Sequence, residues 1–198
     1  MLKLKSKVII GIDLAGKEEN PTGFALLKHK RIETCLIYTN KEILEAVNAA
    51  KPIIVALDAP LKLPKRGIFR KGDLELIKNG YRVFPPGLPA MKKLTLRAIK
   101  LNKLITKSGI KTIEVHPTST RKALDMPTKN WNTVQEIFKK LGLSGTIKER
   151  RLTPHELDAV TAAFTAFLYL QGLTISLGDS EEGFIVIPKK LKWQEISI

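Results

Sequence analysis

The sequence lacks the residues that mark disulfide-stabilised, zinc-knuckle and membrane proteins. Its 198 residues include a single cysteine, Cys35, which can form neither an internal disulfide nor a cysteine-based metal knuckle. No run approaches the roughly 18 consecutive apolar residues that a membrane-spanning helix needs. The first residues carry no apolar stretch before a small-residue cleavage site, so we expect no secretion signal. These absences predict a cytoplasmic protein that does not bind membranes.

Acidic residues are also scarce. Asp and Glu together number 19, against 34 Lys and Arg, which gives a formal net charge of +15. Such a surface concentrates polyanions around it, so nucleic acid is the expected partner. Lysine-rich surfaces also occur in heat-adapted proteins, where the charge serves solubility and ion-pair networks. Charge alone therefore leaves both interpretations open.

Apolar residues make up 43% of the chain, which is enough for one hydrophobic core, and nothing marks a break between two cores. We expect a single domain over residues 1–198. Short β-branched runs and helical periodicities predict the elements. The predicted strands are residues 7–13, 23–28, 32–38, 52–58 and 111–115. The predicted helices are residues 41–50, 73–78, 94–107, 131–141 and 153–170, with a small hairpin near 178–179.

The order of these elements predicts an α/β fold with a mixed five-stranded sheet flanked by helices. The first three strands form a meander, so the second runs antiparallel to its neighbours. Right-handed crossovers place the fourth strand beside the first, which gives the order 3-2-1-4-5. Residues 59–93 are rich in Pro, Gly, Lys and Arg, and we interpret them as a basic, elaborated loop region.

Acidic side chains follow neighbouring strands of this sheet. Asp13 and Asp58 each end a strand, and parallel neighbours lie about 4.8 Å apart, so both carboxylates should emerge side by side. Glu114 stands near the end of the next strand and can join them. Asp158, near the start of the last helix, could close the cluster, with His155 one turn before it. Clustered carboxylates repel unless a cation intervenes, and oxygen ligands favour Mg²⁺ or Mn²⁺.

Each residue also has a purely structural interpretation. The two strand-end aspartates could satisfy turn and loop amides. Glu114 could pair with a lysine, Asp158 could be favoured by the helix dipole, and His155 could be a structural imidazole. The coincidence of several acids at one predicted edge favours the site over these separate explanations.

Six short motifs in order resemble those of one family. They are GIDLAG (11–16), ALDAPL (56–61), RKGD (70–73), FPP (84–86), IEVHP (113–117) and HELDA (155–159). Together they resemble the uncharacterised family described as predicted ribonuclease H-like nucleases, and the resemblance spans nearly the whole chain.

The resemblance implies a ribonuclease H-like fold, related to that of RuvC-type junction resolvases. In that fold, acids on the first and fourth strands and the last helix bind metal, which here implies Asp13, Asp58 and Asp158. Ribonucleases H proper also use a glutamate on the first helix. Glu42 and Glu45 are not clearly placed for that role, which is a departure from the pattern.

Three functions are therefore open. The first is a metal-dependent nuclease acting on DNA or RNA, with phosphate contacts from the basic loop. The candidates for these contacts are Arg66, Arg70, Lys71 and Arg82. The second is a nucleotide-binding phosphotransferase of actin-like ATPase ancestry, although such enzymes use two lobes and the chain supplies one. The third is a nucleic-acid binder without catalysis. The sequence leaves a homodimer open as well.

Overall fold

A computed structural model describes residues 7–198 of the chain. Its strands are β1 (Val8–Asp13), β2 (Thr22–Lys28), β3 (Arg31–Ile37), β4 (Ile54–Asp58), β5 (Lys111–Val115), β6 (Ser144–Gly145), β7 (Thr174–Asp179) and β8 (Gly183–Pro188). Its helices are α1 (Asn40–Ala50), α2 (Lys71–Lys78), α3 (Pro89–Lys107), α4 (Pro117–Ala123), α5 (Trp131–Lys140), α6 (Thr146–Glu149) and α7 (Pro154–Leu170), followed by a 3₁₀ turn at Trp193–Glu195. No helix among these residues is long and apolar enough to cross a membrane.

All strands join one sheet in the order β6-β3-β2-β1-β4-β5-β8-β7. The predicted order 3-2-1-4-5 is its central part, and β2 is antiparallel to β1 and β3 as expected. Three strands extend the prediction. The hairpin near residues 178–179 is formed by β7 and β8, and β8 adds itself parallel to β5. The two-residue β6 pairs with β3 at the other side.

The two faces of the sheet carry separate cores, because successive residues of a strand point to opposite faces. On β1, Ile9 belongs to the core under α7, whereas Ile10 and Ile12 belong to the core under α1 and α3. On β4, Ile54 and Ala56 likewise face α7. This alternation decides which strand-end side chains can meet.

The last helix lies unusually close to the central strands. A Cβ atom added at Gly11 would overlap the backbone of Ala159, and one at Gly23 would overlap the carbonyl group of His155. Two glycines in neighbouring strands therefore let α7 approach the sheet. Its first turn comes to lie above the carboxyl end of β1.

The helices predicted to start at residues 41, 73 and 94 start earlier in the structure, at Asn40, Lys71 and Pro89. Thr39 caps α1, and its side chain accepts the Glu42 N–H in a capping box. Helix α3 begins at Pro89, five residues before the predicted start at 94. Helix α4 was not predicted, because His116 and Pro117 looked like the end of a strand. Helix α7 begins within one residue of its predicted start at 153, with Thr153 as cap and Pro154 in the first position.

Candidate active site at the carboxyl ends of β1 and β4

Asp13 and Asp58 are register partners at the ends of β1 and β4, two adjacent parallel strands. Strand alternation turns both side chains to the face covered by α7, because Asp13 continues the series of Ile9 and Asp58 continues that of Ala56. The two strand-end acids therefore occupy neighbouring positions, as the strand order predicts.

His155, in the first turn of α7, contacts the first of these acids. Its Nδ1 lies 2.7 Å from Oδ2 of Asp13, and its side chain is 50% exposed. The hydrogen bond that Asp13 accepts from His155 raises the pKa of the imidazole, and the nearby charge of Asp158 adds to the effect, against a smaller opposing effect of burial. The imidazole is thus biased towards its protonated form beside the carboxylate.

Asp158, one turn further along α7, is held by an arginine that the sequence analysis did not single out. The Nη1 of Arg121 on α4 donates a hydrogen bond to Oδ1 of Asp158. Arg121 is only 1% exposed, and its guanidinium lies over the Trp131 ring, 4.8 Å from the centroid. Its Nε is the one buried side-chain polar atom in residues 7–198 without a hydrogen-bond partner. Burial raises the pKa of Asp158, and Arg121 opposes that rise.

Asp58 is the least compensated of the three acids. No group in the described part of the chain donates a hydrogen bond to its carboxylate, and only the charge of Arg121 favours its ionised form. Burial, followed by the charges of Asp13 and Asp158, raises the pKa of Asp58 well above its usual value. A half-buried carboxylate in this position favours either a proton or a cation nearby.

The acids at this site can supply some, but not all, of the ligands of a divalent cation. Within residues 7–198, no three His, Cys, Asp or Glu side chains are already arranged as a metal site. His155 holds Asp13 and Arg121 holds Asp158, so the aspartates are not gathered around one point. Mg²⁺, however, is commonly held by one or two carboxylates together with water and substrate phosphate. Asp13 and Asp58 satisfy that smaller requirement.

Glu114 does not join this cluster. Its strand neighbours Ile113 and Val115 belong to the core under α7, so Glu114 faces the opposite side of the sheet. There its carboxylate accepts two hydrogen bonds from Arg70, at 2.8 and 2.6 Å, and one from the Leu61 N–H at 2.7 Å. The prediction that Glu114 completes the acidic site is therefore corrected, and the predicted pairing with lysine is instead a buried pair with arginine.

The basic loop is only partly available for phosphate contacts. Arg70 is 2% exposed and binds Asp73 as well as Glu114, so its predicted role as a surface contact is corrected. Arg66 and Arg82 are exposed. The Nζ of Lys71 lies 3.9 Å from a carboxylate oxygen of Asp179, which begins an acidic turn between β7 and β8. Glu181 in the same turn pairs with Lys65 of the basic loop.

The two glutamates of α1 do not provide the additional acidic ligand that ribonucleases H proper carry on their first helix. The Glu42 carboxylate accepts the N–H groups of Tyr38 and Thr39 at 2.9 and 2.7 Å, which lowers its pKa. Glu45 is exposed and lies 3.9 Å from Lys41. The departure noted in the sequence therefore holds in the structure.

A cleft of about 260 Å³ opens beside the two strand-end acids. Its walls include Asp13, Asp58 and His116 together with the exposed ring of Phe84. His116 caps α4 and its Nδ1 contacts Ser119 Oγ at 2.7 Å. Burial and the charge of Arg121 lower the pKa of His116 to about 4, so this imidazole is neutral at neutral pH.

Sequence reasoning missed two features of the site, which are Arg121 and the position of His116 in the cleft wall. The available signal was the IEVHP motif itself, since a proline one position after His116 is typical of a helix start. An α4 beginning there would have placed Arg121 one turn inside the helix, at the same sheet edge as the acids.

Comparison with known proteins identifies the fold. No family model matches the sequence, and no curated protein sequence matches it. The structure is similar to RuvC of T. thermophilus in complex with a Holliday junction substrate, with a TM-score of 0.52 and 16% identity over 84% of this chain and 96% of that chain. It is also similar to a second Thermus thermophilus RuvC structure, with a TM-score of 0.50 and 18% identity over 83% of this chain and 96% of the other. The fold is therefore ribonuclease H-like, as the motifs indicated.

Proposed function

We propose that this chain is a metal-dependent nuclease that hydrolyses phosphodiester bonds in DNA or RNA. The observation that carries the proposal is the register pair of Asp13 and Asp58, in which Asp58 receives no hydrogen bond from residues 7–198. Support comes from the cleft beside this pair, from the net charge of +15 and from the similarity to a resolvase fold. We place the protein in the cytoplasm, and we keep the homodimer as a prediction that analytical ultracentrifugation tests.

The proposed ligands of Mg²⁺ or Mn²⁺ are Asp13 and Asp58, with Asp158 joining if Arg121 releases it. The bound cation would supply a Lewis acid that lowers the pKa of water and polarises the phosphodiester. His155 orients Asp13 through Nδ1, and its half-exposed ring leaves Nε2 to exchange a proton beside Asp13. Arg121 holds Asp158 and supplies positive charge behind the acids.

Cleavage of a substrate panel tests the proposal. Single-stranded, duplex, RNA–DNA hybrid and branched substrates are incubated with Mg²⁺ or Mn²⁺ and with wild-type protein, Asp13→Asn or Asp58→Asn. We expect each variant to lose more activity than the roughly 10- to 100-fold that outer-shell partners of metals typically cost. Asp125→Asn is the matched control, because Asp125 is exposed, lies outside the cleft and has a φ of 56°, a conformation that asparagine tolerates.

Unfolding measured without metal separates a catalytic site from a structural one. Asp58→Asn should unfold at or above the wild-type temperature, since it relieves repulsion between acids, whereas Asp13→Asn also loses its contact with His155 and should unfold earlier than Asp58→Asn. Variants that unfold earlier and still cleave at the wild-type rate would contradict the assignment.

The second candidate is a nucleic-acid binder without catalysis. The observation favouring it is that Asp13 and Asp158 already have positively polarised partners within the chain, in His155 and Arg121. Wild-type protein that binds nucleic acid and cleaves none of the panel would select this function. The phosphotransferase alternative calls for two lobes around a nucleotide, and residues 7–198 form one sheet.

A further inference from the structure

The longest helix presents a face of lysines to solvent. Helix α3 has 19 residues and packs Ala98, Leu101 and Ile105 into the core. At 3.6 residues per turn, its exposed lysines fall within an arc of about 100° on the side opposite that core. We call these residues the α3 lysine stripe: Lys92, Lys93, Lys100, Lys103 and Lys107.

The charge of this stripe is not neutralised from within the described chain. Helix α3 contains no Asp or Glu, and no ion pair in residues 7–198 includes one of the five lysines. The basic loop differs in this respect. Its Lys65 and Lys71 face Glu181 and Asp179, and Arg70 is buried in ion pairs. The stripe is therefore the more available basic surface.

The helix that carries the stripe begins at the cleft that holds the acidic pair, although the stripe itself faces away from the cleft wall. Met91 and Leu94, in the first turns of α3, line that cleft. Arg97 fixes the same part of the helix, because its Nη1 donates to the carbonyl oxygens of Ala15 and Lys17 at 2.7 and 3.1 Å. Those carbonyls follow Asp13 in the chain, so the orientation of α3 is tied to the end of β1.

We propose that the α3 lysine stripe binds the phosphate backbone of nucleic acid and leads one arm of the substrate into the cleft. From Lys92 to Lys107 it covers about 22 Å, at 1.5 Å per residue. Duplex DNA carries one charge per about 1.7 Å of axis, so a groove-side contact along this length meets several phosphates. The inference rests on the proposed function and adds to it the surface that binds the polyanion.

The test compares two triple variants with the same loss of charge. The stripe variant is Lys93→Gln, Lys100→Gln and Lys103→Gln. The control variant is Lys28→Gln, Lys30→Gln and Lys140→Gln, which changes exposed lysines without ion pairs in the described chain and leaves α3 intact. Binding of a 30-base-pair fluorescent DNA duplex is measured without divalent metal between about 50 and 200 mM salt, the range over which such contacts weaken strongly. Circular dichroism checks that both variants fold.

We expect the stripe variant to bind more than roughly tenfold more weakly at about 0.1 M salt, and its salt slope to shrink by about 2 to 3, because each lost phosphate contact contributes about 0.9. The control should change both quantities much less. If both triple variants bind the duplex equally weakly, net charge alone explains the binding, and the proposed role of the α3 lysine stripe is wrong. The proposed role of the stripe is also wrong if the wild-type protein binds no duplex, or if it binds phosphatidylserine vesicles instead. Duplex binding through the stripe with no cleavage under any condition would overturn the nuclease and keep the stripe.

Discussion

Two arginine–carboxylate clusters lie at the same edge of the sheet, and they differ in how fully their charges are satisfied. In the closed cluster, a buried arginine binds two buried acids through five hydrogen bonds within 3.1 Å, counting the backbone N–H of the arginine. Its members are Arg70, Asp73 and Glu114. In the open cluster, a buried arginine with an unsatisfied Nε binds one of three acids. Its members are Asp13, Asp58, His155, Asp158 and Arg121.

The comparison shows which buried charge is structural. A fully bonded ion network fixes the loop after β4 to β5 and to α2, since the Leu61 N–H also binds Glu114. Both of its carboxylates are bound by the same guanidinium, so each acid has a charged partner. The open cluster leaves Asp58 without a donor, which is an unfavourable arrangement in a protein interior unless a ligand completes it. Both clusters contain acids that line the cleft, so amino-acid composition alone does not tell the structural cluster from the candidate site.

Removing the arginine of the closed cluster should have the largest effect on stability. Arg70→Met leaves Asp73 and Glu114 buried without their cation, and losing one partner of a buried pair costs about 3–5 kcal/mol of unfolding free energy. Urea denaturation measures the change. Arg66→Met, at an exposed position in the same loop, should change stability by less than about 0.5 kcal/mol. Similar small losses in both variants would show that the closed cluster is not structural.

The same substitution should have opposite signs in the two clusters. Asp73→Asn removes a charged acceptor from Arg70 and should cost roughly 2–3 kcal/mol. Asp58→Asn removes the charge that Asp13 and Asp158 repel and should raise the unfolding free energy in the absence of metal. The two unfolding curves, recorded under identical conditions, give the comparison. A loss of stability in Asp58→Asn would mean that Asp58 has a structural partner.

The pH dependence of this gain follows from the direction of the pKa shift. The pKa of Asp58 is higher in the folded than in the unfolded chain, so its ionised form costs stability above the folded pKa. Below its usual value of 3.8 both states are protonated and the cost disappears. The advantage of Asp58→Asn should therefore be full above the folded pKa of Asp58 and decline as the pH falls towards 3.8. An advantage independent of pH would exclude charge repulsion as its cause.

The smallest effect concerns the histidine of the open cluster. Asp13→Asn should lower the pKa of His155 from its raised position towards the usual 6.5, because the charged acceptor is lost. Titration of the imidazole signals by NMR measures this shift. His116, whose pKa is lowered to about 4 by burial and Arg121, serves as the internal control and should keep its value. An unchanged pKa at His155 would show that its contact with Asp13 does not persist in solution.

The sequence predicted the features that depend on chain order and local pattern. The core order 3-2-1-4-5 and the adjacent positions of Asp13 and Asp58 follow from crossover handedness, which needs no side-chain detail. The position of β8 beside β5 depends on long-range pairing, and β6 is too short to leave a pattern. Strand alternation around Ile113 and Val115 was sufficient to turn Glu114 away from the acids. The burial of Arg70 depends on partners far along the chain, so its motif resembled an exposed basic loop.

We propose that the open cluster, and not the closed one, binds a divalent cation. The most direct measurement is Mn²⁺ binding followed by electron paramagnetic resonance, with wild-type protein, Asp58→Asn and Asp73→Asn at a temperature where all three are folded. We predict that Asp58→Asn weakens Mn²⁺ binding by more than roughly tenfold, because it removes a charged ligand, while Asp73→Asn leaves the affinity close to that of the wild type. Wild-type affinity in Asp58→Asn, or a loss confined to Asp73→Asn, would contradict the account.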